Sequence, residues 1–438
     1  MTPPNVLFVV LDTVRTDRVS SYGYDRRTTP NFDEFVTDAT VFTDAVSQAS
    51  WSIPAHASLF TGTYPTDHGA TAIAPILQDS ETLPSVLREA GYETYGVSPN
   101  EYVRHLTGFG HGFDEFYPDP HRTVPAWLVD LVEPVVNTGA KTPQVRLPIE
   151  RRFNAARARA PWSTGETPVT PDHQVARVTD ILARAEEPFF LFVNVLDAHL
   201  PRSPAPEHFD TFVDDALMDV PVVENERAHT FGEGMTETEL RKMSQLYDAD
   251  LRTMDDKLGE LLAVFERADL LDDSLVILVS DHGEHLGEFG MVGHQASVFE
   301  EVVHVPLAIR FPDGGPASVG AQVETRRVFE TVLDVTGVAD HPTRSLASGV
   351  ADDVARGMFV SPMLDLERLL WKREVRYDPA CMGETLAFER RGDLKRISVG
   401  ETAWFFDCPE SSGAAISREA PPRFQPGEGG AASNPEGY

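Results

Sequence analysis

Residues 6–12 read Val-Leu-Phe-Val-Val-Leu-Asp, a run of six apolar residues that ends at an acid. Three more short runs of this kind lie at residues 94–98, 189–193 and 275–279, and each leads within a few positions to an amide, an acid or a histidine. Runs this short and rich in Val, Ile and Phe are typical of parallel strands that are buried on both faces. Because α/β sheets bind their ligands at the carboxyl ends of such strands, the sequence predicts an α/β fold with a site at that edge.

The side chains that follow the four strands are suited to metal binding and to proton transfer. Asp12 follows the first strand, Asn100 the second, His199 the third, and Asp281 with His282 the fourth. Two carboxylates and an imidazole can bind a divalent ion such as Mg2+, Mn2+ or Zn2+, and two carboxylates in one cleft need a cation to offset their repulsion. We therefore predict a metal site at Asp12, Asp281 and His282. The alternative is that each Asp caps the turn after its strand.

The sequence Ser-Ile-Pro-Ala-His-Ala-Ser-Leu-Phe-Thr-Gly at residues 52–62 predicts a short helix that carries the candidate nucleophile. Pro54 suits the first turn of this helix and Gly62 suits its end. At the helix N-terminus, the hydroxyl of Ser52 faces free backbone N–H groups and the positive end of the helix dipole, which favours binding of a tetrahedral oxyanion. His56 lies one turn further along on the same face. The alternative is that Ser52 is only a helix cap.

The composition is strongly acidic. The chain has 69 Asp and Glu against 37 Lys and Arg, a formal net charge of −32. This charge argues against nucleic acid as a partner, because phosphates need cationic contacts. Among the basic residues, 32 are arginines and only five are lysines. An acidic surface poor in lysine indicates adaptation to high salt, where screening removes the self-repulsion. The alternative is an ordinary acidic protein with an acidic tail.

Strands and helices alternate along residues 1–344, which predicts one domain with a mixed, largely parallel sheet sandwiched by helices. Within it the pattern is lost in an irregular insert at 117–171, to which we assign no role. A helix predicted from Thr236 to Phe265 opens with a capping box and carries one apolar stripe. Short strands separated by turns predict a small antiparallel α+β subdomain at 345–408. The composition of 409–438, rich in Gly, Pro, Ser and Ala, predicts a disordered tail.

Cysteine content and hydropathy exclude further classes of protein. Cys381 and Cys408 lie far in sequence from the predicted strand ends, so redox chemistry and thiolate metal sites are not expected. The sequence shows neither a secretory signal nor a long apolar stretch, from which we expect a cytoplasmic protein without a membrane partner. The sequence does not determine the oligomeric state.

The candidate residues belong to an ordered set of motifs that resembles the sulfatase family of the alkaline phosphatase superfamily. The resemblance covers about residues 5–340 and rests on the order of the separate motifs. These are Asn5 to Asp12 with Asp17 and Tyr22-Gly23, residues 52–62 with Tyr64-Pro65 and His68-Gly69, Asp197-Ala-His199-Leu-Pro201, Ser280-Asp-His-Gly-Glu284 with Gly287-Glu288, and Gly293-His294 with Val305-Pro306. Together with the acidic composition, they resemble a haloarchaeal-like member of the arylsulfatase A type.

The resemblance implies an alkaline phosphatase-like fold, a hydrolase and one divalent ion. Ca2+, Mg2+ and Mn2+ are the implied ions, with Zn2+ as a further candidate. Asp12, Asp281 and His282 match the metal ligands of the family. Ser52 matches the nucleophile, which also contacts the metal.

Four further residues have implied roles around the transferred group. Asn100, His199 and His294 resemble positions that contact this group or protonate the leaving oxygen. His56 would join the metal and the helix N-terminus in stabilising charge on the equatorial oxygens.

Several positions depart from the usual pattern of the family. Ser52 stands where most sulfatases have a Cys that is converted to formylglycine, and His56 stands where the conversion signal has Arg. His282 replaces the Asn of arylsulfatases and resembles the phosphodiesterase and phosphonate hydrolase branches. Thr13 replaces a second acid, and His294 replaces a lysine near the substrate.

We therefore expect a hydrolase of sulfate esters that attacks through Ser52 or its formylglycine derivative. One alternative is a hydrolase of phosphodiesters, phosphonates or phosphate monoesters that uses unmodified Ser52. In both cases the partner would be a small-molecule sulfate or phosphate ester. A second alternative is a pseudoenzyme that binds an anion without turnover.

Overall fold

The computed structural model describes residues 3–118, 171–221, 235–360 and 385–408, apart from 72–73, 79–80, 289–290, 295–296, 313, 341–342, 350 and 401. The predicted tail at 409–438 lies outside the described residues, and so does nearly all of the predicted insert at 117–171. At the borders of this insert, Tyr117 belongs to a strand and Pro171 begins a helix.

The strands of the described residues form three sheets. In chain order they are β1 Val6–Leu11, β2 Thr40–Val46, β3 Glu93–Ser98, β4 Glu115–Pro118, β5 Phe189–Val195, β6 Leu275–Val279, β7 His285–Leu286, β8 Val292–Gly293, β9 His304–Arg310, β10 Ala317–Val319, β11 Val323–Glu324, β12 Ala355–Val360, β13 Thr385–Arg391, β14 Leu394–Val399 and β15 Thr402–Asp407.

The central sheet has nine strands in the order β10-β2-β9-β6-β1-β5-β3-β4, with β11 also paired to β2. Strand β9 is antiparallel to both of its neighbours, and every other pairing in this sheet is parallel. The prediction of a mixed, largely parallel sheet is thus confirmed. The carboxyl ends of β3, β5, β1 and β6 lie side by side, because these strands are consecutive in the sheet.

Helices cover both faces of the central sheet. The α-helices of the described residues are α1 Pro30–Phe35, α2 Ser52–Thr61, α3 Pro65–His68, α4 Leu83–Glu89, α5 Pro171–Leu182, α6 Pro206–Phe212, α7 Glu237–Arg267, α8 Glu300–Val303 and α9 Val328–Val335. None of the described helices is long and apolar enough to span a membrane.

Alternate side chains of β1 enter two different cores, as a doubly covered strand requires. Val6, Phe8 and Val10 pack in one cluster with residues of α2, α4 and α9. Leu7, Val9 and Leu11 pack in the other cluster with residues of α5 and with the apolar stripe of α7. All six residues of β1 are buried, which is why the sequence is apolar without alternation.

Strands β12 to β15 form a separate antiparallel sheet near the C-terminus. One face of this sheet packs with Val298, Phe299, Val302 and Val303, around the short helix α8, in a third apolar cluster. A small antiparallel sheet in this region was expected, whereas the boundary between residues 344 and 345 stays a prediction.

The helix α7 shows how local sequence sets an element. Its N-cap Thr236 accepts a hydrogen bond from the backbone N–H of Glu239, and the Glu239 carboxylate accepts one from the backbone N–H of Thr236 at 2.7 Å. This capping box confirms the predicted start of the helix. The helix ends at Arg267, two residues beyond the predicted Phe265.

Candidate active site

Four neighbouring strands bring the predicted metal residues to one edge of the central sheet. Asp12 directly follows β1, and Asp281 lies two positions after β6. Asn100 lies two positions after β3, and Asn194 is the sixth residue of β5. Residues that are up to 269 positions apart in sequence therefore meet in one place, as the order of the strands predicts.

Asp12, Asp281 and His282 together could hold a metal ion. Each offers one ligand atom, these atoms lie within 4.8 Å of one another, and all three residues are buried. The Oδ2 atom of Asp281 is buried and accepts no hydrogen bond from the described residues. Two carboxylates and an imidazole, with a buried oxygen left over, fit a small divalent cation.

Electrostatics keep Asp281 ionised. Burial by itself would raise the pKa of Asp281, but the imidazoles of His282 and His56 outweigh it and hold this pKa well below the ordinary value. The backbone N–H groups of Thr13 and His282 donate to Oδ1 at 3.2 and 2.9 Å. A carboxylate that is kept charged in a buried site is prepared to bind a cation.

Asp12 is oriented by side-chain donors. The Nδ2 groups of Asn100 and Asn194 donate to its Oδ2 at 2.8 and 3.3 Å, and the hydroxyl of Thr13 donates to Oδ1 at 3.1 Å. Asn100 was expected to contact the transferred group, and in the structure its amide contacts a candidate metal ligand. Asn194 had no predicted role. A polar residue inside the otherwise apolar strand β5 is the sequence signal that could have indicated it.

Thr13 has a strained backbone between the two carboxylates. Its φ angle is +64°, in the left-handed region that a β-branched residue rarely adopts. The hydroxyl of Tyr247 donates to the Thr13 carbonyl at 2.7 Å, and this bond helps to hold the conformation. In this conformation the backbone N–H of Thr13 reaches Asp281. Such strain persists where the surrounding structure fixes it, and it is concentrated at functional sites.

Ser52 is the first residue of α2 and is 1% exposed. Its Oγ lies 3.3 Å from Nε2 of His282. The Nδ1 of His282 lies 3.0 Å from the carbonyl of Gly283, which leaves Nε2 for the metal or the hydroxyl. The structure thus places the predicted nucleophile against the predicted metal set. Gly62 ends the helix in the left-handed conformation, as expected.

His56 lies one turn along α2 and faces the same interior. Its Nδ1 lies 2.9 Å from the Ser52 carbonyl and 3.3 Å from Oδ2 of Asp281, and its Nε2 lies 3.2 Å from Nδ2 of Asn194. Burial favours the neutral ring, but Asp281 and Asp12 outweigh burial and raise the pKa of His56. His56 therefore connects the nucleophile helix to the metal set. Its predicted contact with the equatorial oxygens stays a prediction.

His199 and His294 complete a row of imidazoles. The ring centroid of His294 lies 4.4 Å from that of His282 and 5.1 Å from that of His199. The Nδ1 of His199 lies 2.6 Å from the carbonyl of Leu200. Burial and the neighbouring His282 lower the pKa of His294 to about 4. His294 thus lies beside His282, a candidate metal ligand, and His199 lies beside His294.

Glu284 and Arg202 support this row, and neither had a predicted role. The Nδ1 of His294 lies 3.3 Å from Oε1 of Glu284, whose Oε2 pairs with the guanidinium of Arg202. Burial by itself would raise the pKa of Glu284, but Arg202 and His294 lower it to about 2. Glu284 belongs to the same motif as Asp281. Arg202, by contrast, leaves no local signal in the sequence, since only the fold brings it to Glu284.

Both the sequence and the fold of this chain are similar to those of known proteins. The sulfatase family model matches residues 4–338. An uncharacterized sulfatase of Escherichia coli, YidJ, is 25% identical over an alignment of 358 residues, which covers 77% of this chain and 69% of the relative. An N-acetylgalactosamine-6-O-sulfatase of Bacteroides thetaiotaomicron is 25% identical over an alignment of 357 residues, which covers 70% of this chain and 63% of the relative.

Among solved structures, the phosphonate monoester hydrolase of Agrobacterium radiobacter superimposes with a TM-score of 0.66 at 21% identity. The alignment covers 92% of this chain and 89% of that chain. This likeness shows a common fold.

Proposed function

The chain belongs to the sulfatase family, and from that premise we propose that it hydrolyses sulfate esters with Ser52, or its formylglycine derivative, as the attacking group. One observation carries the proposal. The Ser52 hydroxyl lies 3.3 Å from Nε2 of a candidate metal ligand, in a buried cluster that also holds two carboxylates. A hydroxyl in that place can be activated and can bond to sulfur or phosphorus.

The metal would be held by Asp12, Asp281 and His282, with the Ser52 hydroxyl beside it. When bound, a divalent ion lowers the pKa of an adjacent hydroxyl and stabilises negative charge on ester oxygens. Because the site has one imidazole and only two carboxylates, it suits Mg2+, Mn2+ or Zn2+ better than Ca2+, which prefers a larger set of oxygen ligands. The site has only two carboxylates because Thr13 replaces a second acid.

The side chains of this protein would divide the reaction between them. The Ser52 hydroxyl gives its proton to water, and its oxygen bonds to sulfur while the bond from sulfur to the leaving oxygen breaks and the electron pair stays on that oxygen. The leaving alcohol takes up a proton that His294 or His199 relays from water. Water then releases sulfate from Ser52 and restores the hydroxyl. The N-terminus of α2 stabilises the charge on the sulfuryl oxygens.

Hydrolysis of phosphate or phosphonate esters is the second candidate function. Three observations favour it: His56 replaces the Arg of the conversion signal, Ser52 has a hydroxyl and not the usual thiol, and His282 adds an imidazole to the candidate metal set. The same attack geometry serves phosphorus and sulfur, so the candidate site by itself is compatible with both.

Two measurements test the proposal. A mass spectrum of the peptide that contains Ser52 shows whether the serine is converted to formylglycine. Initial rates with 4-nitrophenyl sulfate, 4-nitrophenyl phosphate, bis(4-nitrophenyl) phosphate and a phenylphosphonate ester, each with Mg2+, Mn2+, Zn2+ or Ca2+ in molar KCl, give the preferred ester and metal. We expect the sulfate ester to have the highest kcat/KM.

Other results would redirect or reject the proposal. A higher kcat/KM for a phosphorus ester with unmodified Ser52 would establish the second function. If no ester is turned over with any metal while sulfate or phosphate still binds, the protein is a pseudoenzyme and the hydrolase mechanism is wrong.

A further inference from the structure

Each of the four histidines at the proposed site holds its Nδ1 against an oxygen atom. Three of these oxygens are backbone carbonyls, namely those of Ser52 for His56, Leu200 for His199 and Gly283 for His282. The fourth ring, His294, instead has its Nδ1 3.3 Å from the carboxylate oxygen Oε1 of Glu284. An oxygen acceptor needs a proton on Nδ1, so Nε2 becomes the nitrogen that faces the site.

The Glu284 carboxylate cannot turn away from His294. Glu284 is 0% exposed, and its second oxygen pairs with the guanidinium of Arg202. Arg202 is fixed in turn, because its Nη1 donates to the Ala198 carbonyl at 2.6 Å and its guanidinium lies 4.8 Å from the ring centre of Tyr247. The backbone carbonyl of Glu284 accepts a hydrogen bond from Arg15 at 2.9 Å. Both the backbone and the side chain of Glu284 are therefore held.

The other nitrogen of His294 is left for a ligand. No described residue forms a hydrogen bond with Nε2 of His294, although the side chain is only 7% exposed. The ring lies between His282, a candidate metal ligand, and His199. A bound ester group beside Ser52 would therefore lie next to this row of imidazoles.

We infer that Glu284, anchored by Arg202, is a positioning residue that fixes the His294 ring with Nε2 facing the transferred group. The inference rests on the proposed function, and it adds a residue that contacts neither the metal ligands' donor atoms nor the ester. A carboxylate holds an imidazole more firmly than a carbonyl does, because the hydrogen bond is charge-assisted. The buried pair with Arg202 keeps that carboxylate in place, away from water.

A double-mutant cycle tests whether Glu284 acts through His294. The proteins are the wild type, Glu284→Gln, His294→Gln and the double variant, all with metal bound and the preferred ester as substrate. We expect Glu284→Gln to lower kcat by about 10- to 100-fold with a small change in KM, the usual cost of losing such a supporting contact. In the His294→Gln background, Glu284→Gln should lower kcat by less than about threefold, because the imidazole that Glu284 positions is no longer there.

Asp250 provides a matched control. It is also buried, and its Oδ2 lies 3.5 Å from the same guanidinium of Arg202, but no contact joins it to His294. Asp250→Asn can affect kcat through the packing of Arg202 but not through a contact with His294. We therefore expect it to lower kcat by a similar factor in the wild-type and His294→Gln backgrounds. A non-additive effect confined to Glu284 would support the inference.

The tautomer of His294 provides a readout without turnover. We expect 15N NMR of the metal-loaded wild type to show the proton on Nδ1, with the resonance assigned by its loss in His294→Gln. In Glu284→Gln, Arg202 takes the amide oxygen, the amide NH2 turns to Nδ1, and the proton should move to Nε2.

Two results would overturn the inference. One is an equal cost of Glu284→Gln in both backgrounds, and the other is an Nδ1 without a proton in the wild type. The second result needs no substrate, and the only variant it needs is His294→Gln, which assigns the resonance. If the wild type turns over no ester, the proposed function fails separately, and the NMR result still decides the role of Glu284.

Discussion

A serine at the start of a helix is usually a cap, and its surroundings decide whether it can react. In this protein the hydroxyl of Ser52 lies 3.3 Å from His282 and is 1% exposed, in the cluster that also holds Asp12 and Asp281. Ser58 offers a comparison on the same helix. It is equally buried, but its Oγ lies 3.1 Å from His68, away from the metal set. The two serines differ in their neighbours and not in secondary structure.

We predict that Ser52→Ala lowers turnover of the preferred ester by about 10⁴-fold or more, the scale seen when a nucleophile is removed from an intact site. The matched variant Ser58→Ala should retain activity within about tenfold, because it removes only the hydrogen bond with His68, away from the metal set. Rates are measured with metal bound and with the folded state checked by circular dichroism. If Ser52→Ala keeps nearly full activity, a water molecule is the attacking group and Ser52 is not the nucleophile.

The second residue-scale prediction concerns the metal. We expect Asp281→Asn to purify with less than about a tenth of the metal content of the wild type, because the neutral amide no longer offsets a divalent charge. Asp255→Asn is the control, since this carboxylate is also buried but accepts from Asn31 and Phe32, outside the site. Elemental analysis of the purified proteins measures the outcome. Equal metal content in the wild type and Asp281→Asn would show that the ion binds elsewhere.

At the scale of elements, buried ion pairs join the C-terminal sheet to helix α8. The ammonium group of Lys395 in β14 lies 2.7 Å from Oε1 of Glu300 in α8, and Nε of Arg390 in β13 lies 3.3 Å from Oε2. Lys395 is 0% exposed. A charge buried so deeply is tolerated only with its partners, so the pair fixes where the small sheet docks.

Lys395→Met should therefore destabilise the protein by about 3 kcal/mol, because it leaves the Glu300 carboxylate buried with one partner fewer. Arg396→Met is the matched control in the next position of β14. Its guanidinium is half-buried and 4.0 Å from Glu389, and such surface pairs contribute about 0–1 kcal/mol. Denaturant unfolding of both variants measures the difference. If Lys395→Met and Arg396→Met lower the free energy of unfolding equally, the buried pair does not hold the sheet in place.

The buried Glu300 carboxylate should make the stability of the protein depend on pH. Burial would raise the pKa of Glu300, but Lys395 and Arg390 hold it below its ordinary value. A lowered pKa in the folded state stabilises the protein above the unfolded value of about 4.3 and loses that contribution as the pH falls. We expect Glu300→Gln to have a lower free energy of unfolding than the wild type at pH 7. The difference between the two proteins should become smaller below about pH 4. Denaturant unfolding at several pH values measures this difference, and a constant difference would contradict the assignment.

At the scale of the whole molecule, net charge is the dominant electrostatic property. A formal charge of −32 on 438 residues repels itself in dilute buffer. We predict that the midpoint of thermal unfolding rises steeply between about 0.1 and 1 M KCl, where the screening length falls from about 10 to 3 Å. The rise should then level off, because screening is nearly complete. A midpoint independent of KCl would contradict adaptation to high salt.

The sequence predicted most of the fold because buried parallel strands have a simple signature. The strands β1, β5 and β6 are apolar without alternation and lie where they were expected, and α2 and α7 begin and end close to their predicted limits. The antiparallel course of β9 could not be read from its sequence, since a central strand has the same apolar pattern in either direction.

The sequence by itself determined which residues could carry chemistry. Motif order and strand ends indicated Asp12, Ser52, Asp281 and His282, because the carboxyl ends of parallel strands must share one edge. The tertiary structure alone decided how these side chains are supported. Arg202 reaches Glu284 across 82 positions of sequence, and no local pattern records such a contact. Local interactions leave periodic signals along a chain, whereas contacts between distant segments depend on how the whole sheet and its helices pack.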